Sequence, residues 1–199
     1  MAEFGYQDYL ALLAKVDAAV GADEKGKTFE DLASYLLRAL QGIDITARDV
    51  VTGSEEIDLV LWNARVDEVL RAWSDIILVE CKNWSAKVGA KDLNWFVTKI
   101  ADRGLRTGIL FAAHGVTGDY GSASDPVGAR HVIRTALTKG IRVITITMDD
   151  LRLITSLEDL RRLLKWRYSG IFVHNVLADW QPPAQPVTQP PPVAQVPQS

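Results

Sequence analysis

The chain reads as an α/β domain with a mixed central sheet flanked by helices. Helical spacing opens it, three short apolar runs follow, and strand and helix signals then alternate to about residue 164. Turn residues in TGSEE separate the first two apolar runs and favour an antiparallel meander. The later strand–helix–strand order calls instead for parallel crossovers.

Taken in order, residues 6–20 place Tyr9, Leu10, Leu12, Leu13, Val16, Ala19 and Val20 at helical spacing. A second helix is expected over 27–40, opened by GKTFED, with Phe29, Leu32, Ala33, Leu36, Leu37 and Leu40 in one stripe. Gly42 ends it. Strands are expected over 43–51, 57–62 and 76–81, and 88–103 returns to a helix whose apolar side is Leu93, Phe96, Val97 and Ile100. TGILFAA (107–113) is a buried strand, and the Gly/Ser/Asp-rich loop HGVTGDYGSASDP follows it. A helix over 127–139, capped by Gly140, leads to a strand over 141–148 and short helices over 149–164.

The last nineteen residues, 181–199, carry seven of the eight prolines and no charge. They read as a disordered or polyproline II tail that has no apolar face to bury, and PPPV within it is a candidate docking site for a protein partner. The chain divides into an N-terminal helix (1–25), a folded domain (26–180) and this tail (181–199).

With 199 residues, 48% of them hydrophobic and 24% charged, the chain can bury a sizeable core. No apolar run suits a membrane span, and the N-terminus lacks a secretory pattern, so a cytoplasmic location is the default. One cysteine, Cys81, excludes a disulfide within the chain and a thiolate-rich metal site. A net charge of −3 argues against a basic surface that coats nucleic acid, though a local patch can still carry phosphate contacts.

DIILVECKNW (75–84) holds the chemistry. Ile76, Ile77, Leu78 and Val79 form a buried strand that ends in Glu80 and Lys82, two apart and therefore on one face. Buried charges need partners or a metal. Asp58, in EEIDLVLW, lies near the start of another apolar strand; if the two strands are neighbours, it converges with Glu80. Two carboxylates and the main-chain carbonyl of Cys81 make an all-oxygen site suited to Mg²⁺ or Mn²⁺. Lys82 then stands beside a metal-bound water, placed for attack on a phosphodiester.

Asp58 … Glu80-Cys81-Lys82 resembles the PD-(D/E)xK nuclease superfamily, the restriction-endonuclease-like fold, and its Mrr-type branch in particular. The resemblance spans 26–151: GKTFEDLASYLL with Glu30, then EEIDLVL, VECKNW, and the closing ILFAAHGVTG and ARHVIRTALTKGIRVITITMDDL. Glu56-Ile57-Asp58 has no proline, and GSEEID carries fewer glycines than many Mrr-type chains. The resemblance implies a restriction-endonuclease-like core and a Mg²⁺-dependent endonuclease acting on DNA, in defence or DNA processing. It implies Asp58 and Glu80 as ligands, Lys82 as the catalytic lysine and Glu30 as an auxiliary carboxylate. Cleavage of both strands needs two such sites, which points to a homodimer.

Other roles stay open. Glu30 either completes the metal site or is a solvated carboxylate favoured by the helix dipole. Cys81 lends its carbonyl and is otherwise a small core residue. Lys87, Lys91 and Asn94 follow the active strand as candidate phosphate contacts, each also readable as plain surface. His114 is more readily structural than substrate-facing, and Trp84 and Trp95 are stacking or rim residues. The rival functions are a catalytically silent nucleic-acid-binding or assembly module of the same fold, and a junction-resolving nuclease.

Overall fold

A computed structural model of the chain describes residues 4–53, 55–118 and 128–173. Its centre is a five-stranded mixed sheet in the order β1-β2-β3-β4-β5, formed by Ile43–Thr52, Glu55–Asn63, Ile76–Lys82, Thr107–Ala112 and Arg142–Ile146. β1, β2 and β3 pair antiparallel, as the turn residues between the first two suggest. β4 and β5 join in parallel, because the helices α3 (Ala90–Asp102) and α4 (Ala129–Thr138) return the chain to the same end of the sheet.

Helices cover both faces. Gly108 of β4 lies under α3, where an added Cβ would stand 2.4 Å from Ile100 and 2.8 Å from Phe96. Side chains alternate along a strand, so Phe111 points the other way, and there it meets Phe29 of the helix α2 (Ala22–Arg38) edge-on at 6.2 Å. The α2 stripe is fully buried at Phe29, Leu32, Ala33 and Leu36. Each large apolar side chain in it contributes roughly 1.5–3 kcal/mol by leaving water.

The helices differ most from their sequence-based bounds at the start of the second and the end of the last described one. α2 spans Ala22–Arg38 and starts five residues early, despite Gly21 and Gly26. Gly21 takes φ 85 at the N-cap, Asp23 and Glu24 sit in the first turn, and the Glu24 carboxylate accepts the Val20 amide at 2.9 Å. The closing helix, α6 (Leu157–Phe172), continues eight residues beyond the expected end, after the short α5 (Met148–Arg152). Within that extension Lys165 pairs with Glu68, Arg167 pairs with Asp150 at 2.5 Å, Tyr168 stacks on Trp73 at 5.4 Å and Ile171 is buried; Arg161, one turn earlier, pairs with buried Asp67 at 2.9 Å.

The first helix, α1 (Tyr6–Ala18), packs on α2, and its buried Tyr9 donates its hydroxyl to the Leu151 carbonyl at 2.6 Å. Among the described residues no helix is long and apolar enough to cross a membrane. The proline-rich tail (181–199) and the boundary at residue 180 lie outside the described residues.

Candidate active site

The β2–β3 ladder runs from Trp62 paired with Ile76 to Leu59 paired with Val79, and stops there. One more step would set Asp58 opposite Glu80. At that point the Asp58 carboxylate reaches across the gap, and its Oδ2 accepts the main-chain N–H of Cys81 at 2.6 Å. The convergence expected of Asp58 and Glu80 thus follows from the register of two neighbouring strands.

Glu80, 5% exposed, is bridged by two ammonium groups. Its Oε1 lies 2.7 Å from Nζ of Lys82, on the same strand face, and its Oε2 lies 2.8 Å from Nζ of Lys99 on α3. Lys99 also donates to the Glu56 carbonyl at 2.5 Å. The Lys82 ammonium stands 5.6 Å from the centre of the Trp84 ring, within cation–π range. Lys99 is not among the residues the sequence singles out, because it sits three residues after Phe96, inside the apolar stripe of its helix. A lysine at such a position is itself a signal, since a buried ammonium demands a partner.

Beside this pair the carboxylates crowd one another. Burial, and then the charge of Glu80, raise the Asp58 pKa to about 6, against the pull of the Cys81 amide, Lys82 and Lys99. Glu30 on α2 is raised to about 7 by burial, by Asp58 and by a hydrogen bond with Asp49, with Arg48 opposing. Asp49, on β1, adopts φ 50, a left-handed conformation that Asp tolerates better than most residues. Nothing in its sequence context marks it. For Lys82, burial disfavours the ammonium, but Glu80 outweighs that and the net shift is upward. Burial above all, with the carboxylates around it, pushes the Cys81 thiol far up, so it stays a protonated core residue.

Glu30, Asp49, Asp58, Cys81, Lys82 and Trp84 line a pocket of about 1000 Å³, with Lys25, Lys27 and Arg48 also on its wall, whereas Glu80 and Lys99 do not line it. Lys87, Lys91 and Asn94 are exposed but do not line it. Nor does His114, which is exposed and borders a smaller cavity of about 240 Å³ that shares Lys25 and Asn83 with the first. Trp84 and Trp95 are 43% and 47% exposed; Trp84 reaches the pocket and Trp95 does not.

Among the described residues no three of His, Cys, Asp and Glu stand grouped as a ready-made metal cage. The donor chemistry still fits a hard divalent ion that keeps most of its waters. Asp58 and Glu30 offer carboxylate oxygens on the pocket wall, where burial first and then a neighbouring carboxylate raise the pKa of both.

The Mrr_cat family, described as a restriction endonuclease, matches residues 22–136, from the first turn of α2 to the buried side of α4. The chain belongs to this family. The match takes in Glu30, Asp58, Glu80, Lys82 and Lys99 together. No curated protein matches the chain. Among solved structures, SfsA of Pyrococcus furiosus in complex with Ca²⁺ aligns at 20% identity and a TM-score of 0.37, over 61% of this chain and 55% of that one. The alignment thus spans little more than half of SfsA.

Proposed function

We propose that this Mrr_cat protein is a metal-dependent endonuclease that hydrolyses phosphodiester bonds of DNA. The observation that carries the reading is the meeting of Asp58 with the Cys81 amide beside the Glu80–Lys82 pair, at the wall of an open pocket. Asp58, Glu80 and the main-chain carbonyl of Cys81 would hold Mg²⁺ or Mn²⁺, with Glu30 as the auxiliary carboxylate. Such an ion supplies charge stabilisation at a phosphoryl oxygen and a more acidic water.

The chain's own residues do the rest. Lys82, with its ammonium held between Glu80 and the Trp84 ring, orients the attacking water and donates to the phosphate. Lys25, Lys27 and Arg48 on the pocket wall offset the acidic charge of the protein along the path of the polymer. Lys87, Lys91 and Asn94 extend that path outward as peripheral phosphate contacts. A homodimer would bring two sites to a duplex, and the proline-rich tail is a candidate attachment point for a protein partner.

A second reading is a nucleic-acid-binding module of the same fold with no chemistry. It is favoured by one observation: both oxygens of Glu80 are already tied to ammonium groups. Cleavage of supercoiled, linear and branched DNA in Mg²⁺, Mn²⁺ or EDTA separates the two. The nuclease reading expects metal-dependent products that EDTA abolishes. Binding without products in either metal contradicts it, and products confined to branched DNA identify a junction-resolving enzyme.

A further inference from the structure

Lys99 is a buried charge that the proposed chemistry does not use. It is 3% exposed, and its ammonium is fixed at two points, the Glu80 carboxylate at 2.8 Å and the Glu56 carbonyl at 2.5 Å. Its helix cannot shift easily, because Phe96 and Ile100 press on Gly108, where no side chain intervenes. Lys82 differs: its side chain is 25% exposed and lines the pocket. Glu80 is therefore held from inside by a rigid cation and from the pocket side by one that substrate can reach.

The charge count around Glu80 has a consequence. Two ammoniums offset the one Glu80 carboxylate, so Glu80 can lend an oxygen to an ion shared with Asp58 but carries no further charge to hold a second. The carboxylates that face the pocket lie on the other side, at Asp58 and Glu30. We propose that Lys99 is a positioning residue, a built-in cation that fixes Glu80 and stands in place of a second divalent ion, so that each chain takes up one metal. This inference rests on the metal-dependent reading of the site and names its stoichiometry.

The test is Mn²⁺ uptake by the full chain, followed by electron paramagnetic resonance of the free ion, for the wild type, Lys99→Arg, Lys99→Gln and Lys99→Met. The wild type and Lys99→Arg should bind one ion each with similar affinity, and Lys99→Arg should keep most of the turnover. Lys99→Gln keeps hydrogen-bond donors without the charge, so it remains informative if Lys99→Met fails to fold. It should bind Mn²⁺ roughly tenfold more tightly or accept a second ion, while kcat falls and KM for DNA stays near the wild-type value. Two ions in the wild type, or uptake by Lys99→Gln identical to the wild type, overturns the role of Lys99 and leaves the nuclease reading standing. A wild type that takes up no Mn²⁺ overturns both.

Discussion

Asp58 and Asp159 are nearly alike in exposure, 7% and 8%, yet their carboxyls shift in opposite directions. Burial raises both. At Asp159 three donors converge on Oδ2, the Thr155 amide at 3.1 Å, its hydroxyl at 2.8 Å and the Ser156 hydroxyl at 2.9 Å, and they carry the net shift downward. Asp58 lies deeper, beside Glu80, and accepts the single Cys81 amide, so its pKa is left at about 6. One aspartate is satisfied by its own turn and anchors the start of α6. The other is held by a main-chain donor beside a second carboxylate, on the wall of the pocket.

The largest effect expected from that contrast is on chemistry. Asp58→Asn and Glu80→Gln should each lower DNA cleavage by about 10³-fold or more, the loss of several kcal/mol of metal-assisted stabilisation, whereas Asp159→Asn should leave the rate close to the wild type. Rates on supercoiled plasmid in Mg²⁺ measure this. Equal losses at both aspartates would erase the distinction.

The two positions should also part in stability. Asp159→Ala removes the carboxylate that pairs with the N-cap Ser156, and should cost about 1 kcal/mol in denaturant unfolding. Asp58→Asn should be neutral or stabilising at pH 8 without divalent ions. Its folded pKa is raised, so its contribution is present below the unfolded value near 3.8 and is lost as pH rises through about 6. A clear destabilisation by Asp58→Asn at pH 8 would mean that the charged carboxylate already has enough partners.

The pH dependence of metal uptake follows from the same shifts. With Asp58 at about 6 and Glu30 at about 7, an ion must displace protons below neutrality. Mn²⁺ affinity should climb between pH 5.5 and 8 and then level, with proton release visible as a buffer-dependent heat. An affinity that is flat over this range would place the ion elsewhere.

The smallest effects belong to the basic residues around the pocket. Lys27→Ala, on the pocket wall, should lower the slope of log binding constant against log salt by about one. Lys87→Ala and Lys91→Ala, both exposed outside it, should change the slope less. The reverse order would put the DNA path along α3.

Much of this arrangement was legible in the sequence, and what was not has physical reasons. The apolar runs around Asp58 and Glu80 announce two buried strands, and a charged pair ending one of them announces a site. The turn residues of TGSEE favour antiparallel pairing of β1 with β2, whereas the β2–β3 pairing that brings the two carboxylates together has no such turn signal between residues 63 and 76. Lys99 hid within the apolar stripe of α3 and shows its role only through partners 19 and 43 residues away. Asp49 carries no local signal, because its importance comes from the pairing of β1 with β2 and from the nearness of Glu30. The second half of α6 is held by ion pairs such as Arg167 with Asp150 rather than by apolar periodicity alone, so its length could not be read from spacing. The start of α2 was masked by two glycines, one of which serves as its cap.

Where the start of β2 meets the end of β3, the carboxylates should bind a divalent cation that the satisfied carboxylates elsewhere do not. Isothermal titration of Mn²⁺ into the wild type, Asp58→Asn and Asp159→Asn at pH 8 tests it most directly. Matching isotherms are expected for the wild type and Asp159→Asn and loss of the heat in Asp58→Asn, with all three folded by circular dichroism. Wild-type binding retained in Asp58→Asn would contradict it.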